Sequence, residues 1–247
     1  MSEDELNARS WVLYALRRVM GYEDVRAKIL KEYLKNVPGI TIGRTFSTSE
    51  NTLEDIFRYV ISLLDTPGTT LFTSANLVPT KEALKHVQGV FETHYQTFLL
   101  NPTQKTLRMI DPARPSASTP GIYNAGISQH LEMFLTRLGF TCTFANIQGA
   151  CQRSSADVFC QSWSLLLQIY EVLNTPGKKT RIPDDKKQRY TLLMNFYHTI
   201  TPIICQDLIK EYSDMKKEKL SGFIPKYQKM DPCVLLKNLT LSELYTA

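Results

Sequence analysis

The segment from Val158 to Leu173 (VFCQSWSLLLQIYEVL) constrains the fold of this chain more than any other. Its apolar side chains occupy most faces of a helix, and such a helix has to be covered on several sides by other elements. It also carries Gln, Ser and Cys and is too short to cross a bilayer. The segment therefore reads as a buried helix of a globular fold, with Cys160 in its first turn.

The flanking sequence supplies elements to cover it. Leu13, Leu16 and Met20, then Val25, Ile29 and Tyr33, recur at spacings of three and four, which predicts two helices meeting near Gly21 and ended by Pro38-Gly39. Asn51 with Glu54 three residues on predicts a capped helix start, followed by the stripe Leu53, Ile56, Phe57, Val60 and Leu64. From Thr69 the texture becomes β-rich: 70–73, 89–92, 95–100 and 107–110 read as strands, and the turn at Asn101-Pro102-Thr103 joins the last two as a hairpin. Beyond a Pro- and Ser-bearing loop at 112–120, residues 122–138 read as an amphipathic helix ended by Gly139, 140–147 as a strand and 148–157 as a polar connection. After Thr175-Pro176-Gly177, the series Leu193, Tyr197, Ile200, Ile204 and Leu208 predicts a long helix containing Pro202.

Length and charge narrow the function classes. A chain of 247 residues buries one substantial core. Its acidic, polar start has no apolar stretch behind a basic one, so no secretory signal is expected, and the protein is expected to be soluble and made in the cytosol. The five cysteines, at 142, 151, 160, 205 and 233, form no CxxC pair and are expected to be thiols, without a zinc cage or a disulfide framework. Residues 176–247 hold 13 Lys/Arg against 8 Asp/Glu, a difference of +5 equal to the net charge of the whole chain. That region is expected to be a solvated, Lys-rich helical surface, with a weak nucleic-acid contact as the alternative use of the charge.

Cys160 is the residue to which chemistry attaches. Unpaired N–H groups and the dipole at a helix start favour a thiolate, and a nucleophilic thiol further needs a base and donors for an oxyanion. Of His86, His94, His130 and His198, the last two lie within helices, whereas His94 opens a strand and is placed to face a cleft. The partner strand ends at Asp111, whose carboxylate can return to His94 across the hairpin and orient its ring. Cys151 lacks a helix start and is the weaker nucleophile.

The words His94-Tyr-Gln-Thr-Phe-Leu-Leu-Asn-Pro and Thr106-Leu-Arg-Met-Ile-Asp111-Pro, 111 − 94 = 17 residues from His to Asp, resemble the His strand and following Asp strand of papain-like cysteine peptidases in the SUMO-protease and adenovirus-proteinase clan. A helix, a strand, a Gln-bearing loop and a helix opening with the nucleophile follow in that clan's order. Cys160-Gln161-Ser162-Trp163 is similar to the nucleophile word of members from large nucleocytoplasmic DNA viruses. The resemblance covers about residues 70–174. It implies Cys160 as nucleophile, His94 as base, Asp111 as orienter and a Gln in the preceding loop for the oxyanion. The clan's usual position, 160 − 6 = 154, is Ser154 here, so Gln152 takes the role, with Gln148 and Ser154 as rivals and the Cys160 backbone N–H as second donor. Tyr95 replaces the usual Trp. Trp163 is expected to pack beneath the site.

The fold expected is α+β: a central, mostly antiparallel sheet packed on the helix that starts with Cys160, and extra helices at both termini. The division expected is a helical extension over 1–68, a peptidase core over 69–175 and a basic helical region over 176–247 packed on the core. The function expected is hydrolysis of peptide or isopeptide bonds without metal or organic cofactor and without a membrane partner. The resemblance favours viral polyprotein processing after small, Gly-type residues, in host cytoplasm and virion. Its alternatives are removal of a ubiquitin-like modifier, an inactive peptidase-fold scaffold, or a nucleic-acid-binding virion protein.

Overall fold

The computed structural model describes residues 3–47, 51–79, 91–114, 126–145, 147–149, 151, 158–174, 180–217 and 230–246. The chain divides into two compact units, one made of Leu30–Ile182 and the other of Met1–Ile29 with Pro183–Ala247.

The Leu30–Ile182 unit is built on a five-stranded sheet in the order β1-β2-β3-β4-β5, with β1 Ile40–Ser47, β2 Thr69–Pro79, β3 Phe91–Asn101, β4 Thr106–Ile110 and β5 Thr141–Phe144. The sheet is mixed, which corrects the expectation of a mostly antiparallel one. β2, β3 and β4 run antiparallel to their neighbours in that trio, but β1 is parallel to β2 and β5 is parallel to β4. Connection chemistry explains the difference. A tight turn reverses the chain between β3 and β4, whereas α3 (Leu53–Ser62) and α4 (Gly126–Arg137) are crossovers, which return the chain in the same direction. β1 itself was not expected, because Gly43 and a register shift between Ile42 and Thr45 break its alternation.

The expected helix at 51–64 forms, but its cap is Thr52 with Asp55, not Asn51 with Glu54. Thr52 Oγ1 accepts from the Asp55 N–H at 3.2 Å while the Asp55 carboxylate accepts from the Thr52 N–H at 2.8 Å. Such a reciprocal cap is worth about 1 kcal/mol. Gly68 closes the turn into β2 with φ +85°, and a Cβ there would stand 2.4 Å from the Gly39 carbonyl oxygen, so only glycine fits.

α3 and α4 share one apolar cluster with the sheet: Ile56 and Val60, Ile127, Leu131 and Leu135 meet Phe72, Phe98, Leu100 and Met109. Phe72, Phe98 and Met109 are register partners across three strands, and the two Phe rings stack with centroids 4.9 Å apart. Burial of side chains this size contributes about 1.5–3 kcal/mol each. The alternate positions of β3 face the other way: Thr97 Oγ1 reaches the Ser164 carbonyl, 3.5 Å away on α5 (Cys160–Leu173). Every residue of α5 from Cys160 to Ile169 is buried, as its composition predicts for a helix covered on most faces. A two-stranded parallel pair, β6 (Ile147–Gln148) with β7 (Thr180–Arg181), completes the unit.

The second unit is helical: α1 (Glu3–Val19), the start of α2 (Glu23–Leu34), α6 (Lys186–Lys217), α7 (Pro232–Lys237) and α8 (Leu241–Thr246). α6 runs through Pro202. Lys28 pairs with Asp207 at 2.6 Å, and the buried Arg9 pairs with Glu243 at 3.3 Å. Cys205 and Cys233 form a disulfide, contrary to the expectation that all five cysteines are thiols. Their 28-residue separation gave no sign of it; α6 and α7 bring the two Cα atoms to 5.8 Å, within bonding reach. Cys142, Cys151 and Cys160 are not in disulfides. Among the described residues no helix is long and apolar enough to cross a membrane.

Candidate active site

The sheet positions a buried polar cluster at the start of β3. Side chains alternate along a strand, so His94 and Gln96 lie on the same face as Phe98 and Leu100, where two more apolar residues would continue the core. His94 is 0% exposed and Gln96 2%. On the neighbouring strand Asn76 is the register partner of His94 and Ser74 of Gln96, and Ser74 Oγ donates to Asn76 Oδ1 at 2.6 Å.

Asp111 follows the last residue of β4, and its local sequence aims the carboxylate. In Asp111-Pro112-Ala113-Arg114 the Arg114 N–H bonds the Asp111 carbonyl at 3.1 Å, while the Ala113 N–H donates to Asp111 Oδ1 at 2.9 Å. An Asp accepting from the backbone two residues on stabilises such a turn. The same oxygen receives His94 Nε2 at 2.8 Å, and Oδ2 receives Gln96 Nε2 at 3.1 Å. Ser128, on the first turn of α4, donates to Gln96 Oε1 at 3.0 Å.

Cys160 is the first residue of α5, and its thiol donates to the Thr93 carbonyl at 3.3 Å, the residue next to His94. The N-cap residue Phe159 makes no side-chain cap hydrogen bond, and Cys160 stands in the turn that carries the positive end of the helix dipole. Trp163, one turn on, is fully buried.

The electrostatics tie these groups together. Burial alone depresses the pKa of the His94 ring, but the Asp111 carboxylate, and then the hydrogen bond and charge of Cys160, more than reverse this and raise it from 6.5 to about 9. Burial raises the pKa of Asp111 as well, yet the His94 charge and hydrogen bond, the Ala113 N–H and the Gln96 amide hold it below its ordinary value. The pair is thus an imidazolium facing a carboxylate. Because the His94 pKa is raised, its contribution to stability is complete below about pH 6.5 and is lost as pH rises through about 9. A reaction that needs the protonated ring should be level through neutral pH and fall with a midpoint near pH 9. A rate–pH profile paired with thermal melts over the same range checks this, and a fall centred near 6.5 would contradict it.

The structure therefore brings His94, Asp111 and Cys160 together. Gln152 and Ser154 lie outside the described residues; Gln148 is exposed in β6 and opposite Arg181 in register. Among the described residues no group of three His, Cys, Asp or Glu is arranged to hold a metal ion. Gln96 and Ser128 were not anticipated. Gln96 was open to detection, since a polar residue two positions from His94 interrupts the apolar side of the strand; Ser128 belongs to an ordinary helix start and carries no such signal.

No family model matches the chain, and no curated protein matches it. Among solved structures, it is similar to SUMO protease Ulp1 with its catalytic cysteine oxidized to a sulfinic acid, at 14% identity over 70% of this chain and 73% of that one, with a TM-score of 0.39. The Legionella pneumophila effector protein RavZ gives 12% identity over 74% and 63%, with a TM-score of 0.32. AvrA, with IP6 and CoA, gives 15% over 90% and 78%, with a TM-score of 0.31. Identities of this order leave function to the site's own geometry.

Proposed function

We propose that this chain is a cysteine peptidase with Cys160 as nucleophile, His94 as acid and base and Asp111 as the group that orients His94. One observation carries the reading: a buried His94–Asp111 bond of 2.8 Å lies beside a cysteine that opens a buried helix. A buried imidazole pair of this kind is costly to build and is the arrangement that acyl transfer requires.

With Nε2 committed to Asp111, His94 exchanges its proton through Nδ1. The Cys160 thiolate attacks the carbonyl carbon of a peptide or isopeptide bond, and the C=O π pair moves to oxygen as the S–C bond forms. The oxyanion collapses, the C–N bond breaks and His94 delivers its proton to the departing amine. Water, deprotonated by the now neutral His94, attacks the thioester; the S–C bond breaks, and acid, thiolate and imidazolium are restored. The Cys160 backbone N–H at the helix start is the first oxyanion donor, and Gln152 is assigned as the second.

The narrower substrate reading is cleavage after small residues. A nucleophile with 5% exposure beside a base with none restricts access to the sulfur, and glycine presents the least bulk at the scissile carbonyl. Viral polyprotein maturation is the natural setting of that specificity and rests on the Cys160-Gln161-Ser162-Trp163 word; a ubiquitin-like modifier ending in glycine meets the same steric demand. Profiling with a peptide library, alongside an isopeptide-linked ubiquitin-like conjugate, tests this. Cleavage is expected after Gly-type residues, at least tenfold faster than after bulky ones, as about 1.4 kcal/mol of steric discrimination gives. Equal cutting of small and bulky junctions would contradict the specificity.

A further inference from the structure

Asp111 is engaged by three N–H donors: His94 and Ala113 share Oδ1, and Gln96 takes Oδ2. The Gln96 donor is the one with a device behind it. Ser128, on a separate element, donates to Gln96 Oε1 and so anchors the far end of the amide that faces the carboxylate. A flipped amide would bring Oε1 against the Asp111 oxygens, which as a carboxylate can only accept. Gln96 and Ser128 are 2% and 3% exposed, so water has little access to replace either bond.

We propose that Gln96, anchored by Ser128, is a positioning residue: its amide holds Oδ2 of Asp111, so that the carboxylate stays ionised with Oδ1 turned to His94. The inference rests on the peptidase reading, in which the His94 ring has to be held in one tautomer and one orientation. Gln96 bonds Asp111 and Ser128 and acts through Asp111. A donor to a charged, buried acceptor is worth more than one between neutral groups, and its removal favours the protonated acid. The charged groups that act on Asp111 are His94 and Arg114, and Glu132 in turn acts on Arg114. Gln96 and Ser128 do not ionise, so replacing them changes no charge.

The test is isotope-edited carboxyl NMR of Asp111 across acid pH, assigned by Asp111→Asn, in wild type, Gln96→Met and Ser128→Ala, paired with the rate at which iodoacetamide labels Cys160. Methionine matches the glutamine in length and offers no donor. In Gln96→Met, Asp111 should take up its proton about one pH unit higher, and Cys160 labelling should slow about tenfold. Ser128→Ala should shift Asp111 in the same direction by less. An Asp111 midpoint unmoved in Gln96→Met overturns the positioning role and leaves the peptidase reading intact. Should that variant fail to fold, an unmoved midpoint in Ser128→Ala does the same. Wild-type Cys160 labelling no faster than Cys142 overturns the peptidase reading itself, and the positioning role falls with it.

Discussion

Cys160→Ala should abolish hydrolysis, lowering turnover by roughly 10⁴-fold or more, while leaving the fold intact. Both halves of the expectation come from the same contacts. In the proposed mechanism the sulfur supplies the attacking electron pair, for which alanine has no substitute. Its contacts in the resting site are with the His94 ring, the Thr93 carbonyl at 3.3 Å and Gln161 Oε1 at 3.5 Å. Losing them and one buried sulfur should cost about 1 kcal/mol. Assay of purified variant with a cleavable substrate, alongside a denaturant melt, checks both. A stable variant that still turns over would move the nucleophile elsewhere.

His94→Ala should cost activity and stability together. Turnover should fall by roughly 10³-fold through loss of the acid and base. The stability loss should be about 3–5 kcal/mol, because Asp111, 6% exposed, would be left as an uncompensated charge. The sign of the second effect can be checked independently. Removing the carboxylate as well, in His94→Ala with Asp111→Ala, should recover part of the loss, since the double variant no longer buries a lone charge. A urea melt of wild type, His94→Ala, Asp111→Ala and the double variant measures the cycle. If the double variant is less stable than His94→Ala by the full cost of a second deletion, the pair is not coupled as the 2.8 Å bond implies.

Much of this arrangement could be read from sequence, for reasons that differ from element to element. α5 announced itself because an apolar helix has few places to go, and Cys160 at its start followed from where the apolar run begins. His94 and Asp111 were visible because a short hairpin fixes which residues face each other: Asn101 to Thr106 set the register, and β3 and β4 then bring the strand ends together. The sheet direction was less legible. Parallel pairing of β1 with β2 and of β4 with β5 depends on where a crossover helix delivers the chain, which local alternation does not encode. The Cys205–Cys233 bond depends on how α6 and α7 meet, and spacing alone carries no trace of that. Gln96 shows the remaining limit. Its polarity at a core-facing position was visible, but its purpose appears only when Ser128 and Asp111 arrive from either side.

Within the Met1–Ile29 and Pro183–Ala247 unit, the C-terminal carboxylates Asp207 and Glu211 pair with Lys28 and Arg18 and join helices, so these pairs leave the C-terminal excess of Lys and Arg unneutralised. Partly exposed pairs of this kind contribute less than about 1 kcal/mol each and keep a helical surface solvated. They do not bear on the chemistry of the sheet.

The most direct test of the central claim is labelling of the free thiols by iodoacetamide at about pH 6, where an ordinary thiol near 8.5 is almost wholly protonated, with each modified residue identified by mass spectrometry. Cys142, whose pKa burial pushes up, serves as the internal reference. If Cys160 and His94 form an ion pair, Cys160 should label at least 100-fold faster than Cys142, and His94→Ala should remove the difference. Labelling at similar rates on Cys142, Cys151 and Cys160, unchanged in His94→Ala, would contradict the account.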